Sequence, residues 1–117
     1  MRRTVLIVDD HDAFRMSAMA LLEAEGFEVV GGVGAGELAV AAYERLRPDL
    51  VLVDIGLPGL DGFAVAELLA TEDDAPFVVL ISGRDVSSYQ ERINSSPVLG
   101  FVAKRELSGA ALAAFVD

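Results

Sequence analysis

Three acids, an alcohol and an amine stand where the apolar runs of this chain stop. Val5-Leu6-Ile7-Val8 ends at Asp9-Asp10, Leu50-Val51-Leu52-Val53 runs into Asp54, Phe77 to Ile81 ends at Ser82-Gly83, and Leu99 to Ala103 runs into Lys104. Unbroken apolar runs bounded by turn residues are the pattern of strands buried on both faces, as in a parallel sheet. Such strands deliver their C-terminal residues to one edge, where open α/β sheets bind ligands, so these side chains are expected to converge. Carboxylates a few ångströms apart repel one another and raise each other's pKa unless a cation intervenes. Hard oxygen donors that leave room for waters and phosphate oxygens describe a Mg²⁺ site. Lys104 would pair with a phosphoryl group as a point charge. It is the only lysine among nine basic residues, the other eight being arginines, which favours a working ammonium over a solvated surface lysine.

The elements that must position these groups follow from periodicity. Phe14, Ala18, Leu21 and Leu22 recur at helical spacing over Asp12 to Glu25, with Asp12 at the positive end of the helix dipole and Gly26 as the stop. Phe27 to Val30 reads as a short edge strand, and Gly31, Gly32, Gly34 and Gly36 as a flexible loop. A second helix spans roughly Gly36 to Leu46, with Leu38, Ala42 and Leu46 as its stripe, and Arg47-Pro48-Asp49 breaks it. A third runs from Phe63 to Ala70 after the turn residues of Leu57-Pro58-Gly59-Leu60-Asp61-Gly62. Asp85 to Asn94 is marginal by propensity, with only Val86, Tyr89 and Ile93 at helical spacing. Ser108 caps a last helix carrying Ala111, Leu112 and Phe115. Strands alternating with helices through short loops mean a parallel sheet wrapped by helices with right-handed crossovers.

Length and composition bound the function. The 117 residues suit one domain, and 53% hydrophobic content supports a substantial core. Cysteine is absent, so thiolate metal sites and disulfides are excluded and a cytoplasmic home is the default. A net charge of −10 argues against nucleic acid or an anionic membrane as partners. No apolar run reaches membrane-spanning length, and no basic-then-apolar leader opens the chain.

With VLIVDD at the first strand end, LVLVDIGLPGLDG around Asp54, LIS at the fourth strand and GFVAK at the fifth, the chain resembles the receiver domains of bacterial two-component response regulators. Asp9-Asp10-His11, Arg47-Pro48-Asp49 and the stretch GFVAKREL are most similar to receivers that precede a LuxR/NarL-type helix-turn-helix. The resemblance covers residues 1–117. It implies a flavodoxin-like, doubly wound five-stranded parallel sheet in the order 2-1-3-4-5. That order is given for a chemotaxis receiver as a standard case of the doubly wound fold. It further implies that Asp54 accepts a phosphoryl group from a sensor histidine kinase or histidine phosphotransfer protein. Asp10, Asp54 and the Gly56 backbone carbonyl would hold Mg²⁺, with Asp9 acting through a bound water. Ser82 and Lys104 would take phosphoryl oxygens, and Ser82 and Phe101 would couple the site to the face of the fourth helix, fifth strand and fifth helix. The implied output is control of transcription, with homodimerisation on phosphorylation as an option. The implied catalysis is confined to the chain's own phosphorylation and dephosphorylation.

Departures and rivals complete the reading. Gly56, two residues after the acceptor, has no side chain to hold a hydrolytic water, and Arg84, two after Ser82, is long and cationic; this pair is expected to set phosphoryl lifetime. Arg105 stands where many receivers have proline, which leaves the Lys104–Arg105 isomer open. The chain stops at Asp117, so the last helix is expected to be short. His11 is read as a helix-start residue with some influence on metal affinity, Tyr89 as packing, and Asp49 and Asp61 as turn formers. Gly34-Ala35-Gly36-Glu37-Leu38-Ala39 matches the dinucleotide-binding pattern G-x-G-x-x-A, but it follows the second strand and leaves Asp9, Asp10 and Lys104 without a role. A phosphatase of the haloacid-dehalogenase type needs an acid where Gly56 stands. A degenerate receiver serving only as a binding module ranks above both enzymes.

Overall fold

Each apolar run is a strand. The computed structural model describes residues 2–85 and 87–116. Its strands are β1 (Thr4–Val8), β2 (Glu28–Val33), β3 (Leu50–Asp54), β4 (Phe77–Ser82) and β5 (Gly100–Ala103). The helices are α1 (Asp12–Ala24), α2 (Ala39–Leu46), α3 (Gly62–Ala70), α4 (Gln90–Asn94) and α5 (Gly109–Val116). All pairings are parallel and the order is β2-β1-β3-β4-β5, as expected.

Side chains leave a strand on alternate faces, and the core sorts accordingly. Leu6, Val8, Val51, Val53, Val78 and Leu80 pack with Ala42 and Tyr43 of α2 and Phe63, Val65 and Leu69 of α3. Val5, Ile7, Leu50, Leu52, Val79 and Ile81 pack on the other face with Ala18 and Leu22 of α1 and Leu112 of α5. β3, buried throughout, is the hub. Because β1 lies between β2 and β3, the chain reverses its winding direction there, and the crevice opens at the C-terminal ends of β1 and β3. At the opposite end Asp49 and Thr4 form a clasp. The Asp49 carboxylate accepts from the Thr4 amide and hydroxyl at 3.0 and 3.1 Å, and the Asp49 amide donates back to Thr4 Oγ1 at 2.9 Å.

Three local expectations need correction. Gly31 and Gly32 belong to β2, paired with Leu6 and Ile7 after a register shift that leaves Val30 unpaired. They are glycines because helices press on the strand there: a Cβ on Gly31 would meet Leu46 Cδ1 at 2.9 Å, and one on Gly32 would meet Arg15 and Met19 at 3.1 Å. The second helix opens with a 3-10 turn over Gly36–Leu38, which leaves Leu38 55% exposed and puts Ala39, Ala42 and Tyr43 on the buried face. The marginal fourth helix is a 3-10 turn, Ser87–Tyr89, followed by a five-residue α4 whose single buried residue is Ile93. Val86 and Asp117 lie outside the described residues. The Lys104–Arg105 bond is trans, Asp61 caps α3 by accepting from the Ala64 amide at 2.9 Å, and Ser108 caps α5 through the Ala111 amide at 3.0 Å.

Gly62 begins α3 directly against the end of β3. A Cβ there would lie 2.5 Å from the Asp54 carbonyl oxygen and 2.9 Å from Ile55 Cα, both backbone atoms that cannot step aside. Gly62→Ala is therefore expected to cost about 2 kcal/mol, read as a lower urea midpoint with an unchanged m-value.

Candidate functional site

Asp9 is fixed before its side chain does anything. Its amide donates to Val33 O at 3.0 Å, carrying the β1–β2 ladder one residue beyond β1. Its carbonyl accepts from Arg15 Nη1 at 2.6 Å. The Arg15 side chain reaches it by lying over Gly32 and Gly34, where a Cβ would be 3.1 and 3.3 Å from it, and Asp12 holds the other guanidinium nitrogen at 2.8 Å. The fully buried Asp9 carboxylate accepts from the His11 amide through Oδ1 at 2.8 Å. Its Oδ2 is 2.7 Å from Lys104 Nζ, an ion-pair contact without hydrogen-bond alignment.

Asp54, 4% exposed, is held at the end of β3 as the ladder continues through Ile55 N to Ile81 O at 2.9 Å. Its Oδ1 accepts from the Gly56 amide at 3.2 Å, and its Oδ2 is 3.4 Å from Lys104 Nζ. Burial, then repulsion from Asp9, pushes the Asp54 carboxyl above the usual carboxylate range against the pull of Lys104 and the Gly56 amide. Lys104 is itself largely buried, bridges both acids and lies 4.5 Å from the Phe14 ring centroid, a cation–π contact.

His11, Asp54, Gly56, Ser82, Gly83, Arg84 and Lys104 line one cleft, so the residues expected to receive a phosphoryl group and those expected to tune its lifetime share a space. Ser82 is buried and its Oγ accepts from the Arg84 amide at 3.0 Å. A Cβ on Gly56 would meet only Asp54 Oδ1, at 4.0 Å, so a side chain fits there. Phe101 is half-buried, paired in register with Leu80, and packs against the core face shared with α3 rather than lining this cleft.

Donor chemistry suits a divalent cation. One ligand atom each from Asp9, Asp10, His11 and Asp54 lies within 4.8 Å of all the others. Asp10 Oδ1 is a buried oxygen without a hydrogen-bond partner, which a bound cation would satisfy. Of these four, sequence reasoning underrated His11. It occupies the N-cap position of α1 but makes no side-chain cap; instead Nδ1 faces the acids, 3.3 Å from Asp9 Oδ1, 3.5 Å from Asp10 Oδ1 and 3.9 Å from Asp54 Oδ2. The available signal was its place directly after Asp9-Asp10 as the only histidine in the chain.

Comparison with known proteins gives one answer. Residues 5–115 match the family described as the response regulator receiver domain. The chain is 37% identical over 106 residues to the transcription regulator of virulence factors BvgA from Bordetella pertussis, covering 91% of this chain and 51% of that protein. It is 38% identical over 104 residues to the transcriptional regulatory protein PdtaR of Mycobacterium tuberculosis, covering 87% and 49% respectively. It thus spans about half the length of the curated relatives it matches. Among solved structures, the signal receiver domain of the response regulator NarL from Mycobacterium tuberculosis superposes with a TM-score of 0.86 at 28% identity, covering 98% of this chain and 97% of that one. A two-component response regulator of the LuxR family from Aurantimonas, at 24% identity and a TM-score of 0.87 over 99% of this chain and 86% of its own, shares the fold.

Proposed function

The chain belongs to the response regulator receiver domains of two-component systems, and on that premise we propose that it is a phosphorylation-driven switch in which Asp54 takes a phosphoryl group from a phosphohistidine on a kinase or phosphotransfer partner. The observation that carries the proposal is the Lys104 ammonium set between Asp9 Oδ2 and Asp54 Oδ2, beside the unpartnered oxygen of Asp10. This arrangement can stabilise phosphoryl charge developing on the Asp54 carboxylate. Asp10, Asp54 and the Gly56 carbonyl would hold Mg²⁺, with Asp9 acting through a water. When bound, the ion supplies positive charge for the phosphoryl oxygens.

An Asp54 carboxylate oxygen bonds to phosphorus as the phosphorus–nitrogen bond of the donor breaks in line, and the imidazole leaves with its electron pair and takes up a proton. Lys104 gives up its contact with Asp54 to pair with one phosphoryl oxygen, and Ser82 Oγ donates to another; positioning supplies most of the rate. The new group adds about 1.5 to 2 negative charges. Ser82 moves toward it, and Phe101 takes the space released, which reshapes the surface of α4, β5 and α5. The output proposed is transcription control, directly or through dimerisation in the cytoplasm. The relatives are transcriptional regulators about twice as long as this chain.

Incubation with Mg²⁺ and acetyl phosphate tests this. Intact mass is expected to rise by one base-labile phosphoryl group in the native chain and by none in Asp54→Asn; an equal gain in both would remove Asp54 from its role. Phosphoryl lifetime is a separate expectation. Gly56→Gln places an amide in the open space beside Asp54 Oδ1 and is expected to speed dephosphorylation about tenfold by orienting water. Arg84→Ala is expected to alter the same rate, and phosphate-release assays of the two variants read both effects.

A further inference from the structure

We propose that His11 is a direct ligand of the divalent cation, through Nδ1, and that it makes this site select first-row transition ions over Mg²⁺. The inference rests on the reading above that Asp10 and Asp54 hold a cation, and adds a donor of different chemistry to it. Cis ligands around a six-coordinate ion of this size stand about 3 Å apart. Nδ1 lies 3.5 and 3.9 Å from one oxygen each of Asp10 and Asp54, the two carboxylates that would bind the ion directly, so a small turn of the ring sets it on the edges of such a polyhedron. The oxygen at 3.5 Å, Asp10 Oδ1, is buried and lacks a hydrogen bond. The His11 amide is held by Asp9 Oδ1 at 2.8 Å, which fixes the backbone from which the ring reaches the acids. Lys104 Nζ stands 3.4 Å from Nδ1. An ammonium can only donate, so that contact calls for the Nδ1 lone pair, the form that binds metal, whereas the 3.3 Å contact with Asp9 Oδ1 calls for Nδ1–H until a cation takes the proton's place.

Carboxylate, carbonyl and water donors alone suit Mg²⁺, whereas adding imidazole nitrogen favours Mn²⁺, Co²⁺, Ni²⁺ and Zn²⁺ in the usual order of stabilities. The side chain is 67% exposed, so turning it a few tenths of an ångström onto an ion disturbs no core packing.

The experiment uses the untagged chain. Because it has one histidine and no cysteine, a directly bound imidazole nitrogen can come from only one residue. Pulsed EPR of the one-to-one Mn²⁺ complex is expected to show a coordinated imidazole ¹⁴N coupling in the native chain and none in His11→Ala. Calorimetric titrations are expected to show affinity rising from Mg²⁺ through Mn²⁺ to Ni²⁺. His11→Ala should lose about tenfold or more for Ni²⁺ and less than about twofold for Mg²⁺. A saturated native complex without the ¹⁴N coupling, or an equal loss for every ion, overturns the proposal. Asp54→Asn separates the two readings: if it weakens Mg²⁺ binding while the nitrogen signal is missing, only the role of His11 fails. If it leaves every affinity unchanged, the cation is elsewhere and both fail.

Discussion

Lys104→Met is expected to lower the stability of the metal-free protein by about 3 kcal/mol, far more than the loss of a surface lysine. The ammonium is 2.7 Å from a carboxylate with no solvent exposure and 3.4 Å from another that is nearly as buried. Removing one member of a buried ion pair leaves the other charge uncompensated, which costs about 3–5 kcal/mol. Here the low end applies, because the His11 amide still serves Asp9 and the Gly56 amide still serves Asp54. Methionine keeps the aliphatic volume beside Phe14, so packing is not the cause. Urea unfolding with and without Mg²⁺ checks this: the deficit should shrink as the ion takes over the neutralising role. An equal deficit at saturating Mg²⁺ would place the loss in packing instead. Phosphorylation by acetyl phosphate should also slow by about a hundredfold, the typical loss when one preorganised charge contact is removed.

Asp54→Asn is expected to act in the opposite direction on stability while abolishing phosphorylation. Asp9 and Asp54 bring carboxylate oxygens within 4.8 Å of each other, where repulsion is worth about 3–4 kcal/mol at an effective dielectric of 20, and the attraction of Lys104 cancels much of it. A net gain of about 1–2 kcal/mol in the metal-free variant is the expected result. The pH dependence has a definite sign. Because folding raises the Asp54 pKa, the folded state holds a proton that the unfolded chain has already lost, between the usual carboxylate pKa and the raised one. Stability in the native chain therefore falls as pH climbs through that window and levels off above it. In Asp54→Asn this component of the slope is missing. Adding Mg²⁺ at a hundred times its dissociation constant should stabilise the native chain by about 2.7 kcal/mol and the variant by much less. Thermal melts across pH, with and without the ion, read all three effects.

The candidate site was legible because strand ends carry it. Asp9, Asp10, Asp54, Ser82 and Lys104 each stand at the end of an apolar run with the pattern of a buried strand, and the β1–β3 pairing brings two of those ends together. Gly31 and Gly32 were misread for a physical reason: glycine signals freedom in a sequence, yet here it marks a strand squeezed between Leu46 and the Arg15 and Met19 side chains. Leu38 was assigned to a buried stripe on a 3.6-residue period, and a 3-10 turn rotates it outward. His11 adjoins Asp9 and Asp10 in sequence, but its approach to Lys104 and Asp54, 93 and 43 positions away, is carried by no periodicity.

The helix after β4 has a mechanical consequence. Its one buried anchor is Ile93, whereas β3 is buried at every position and its far end is clasped by Thr4 and Asp49. Stiffness is therefore unevenly distributed, and any load applied at the acid pocket is absorbed by the compliant flank rather than shared among the helices on both faces of the sheet. The direction in which this molecule yields is thus written into its shape before anything pushes on it.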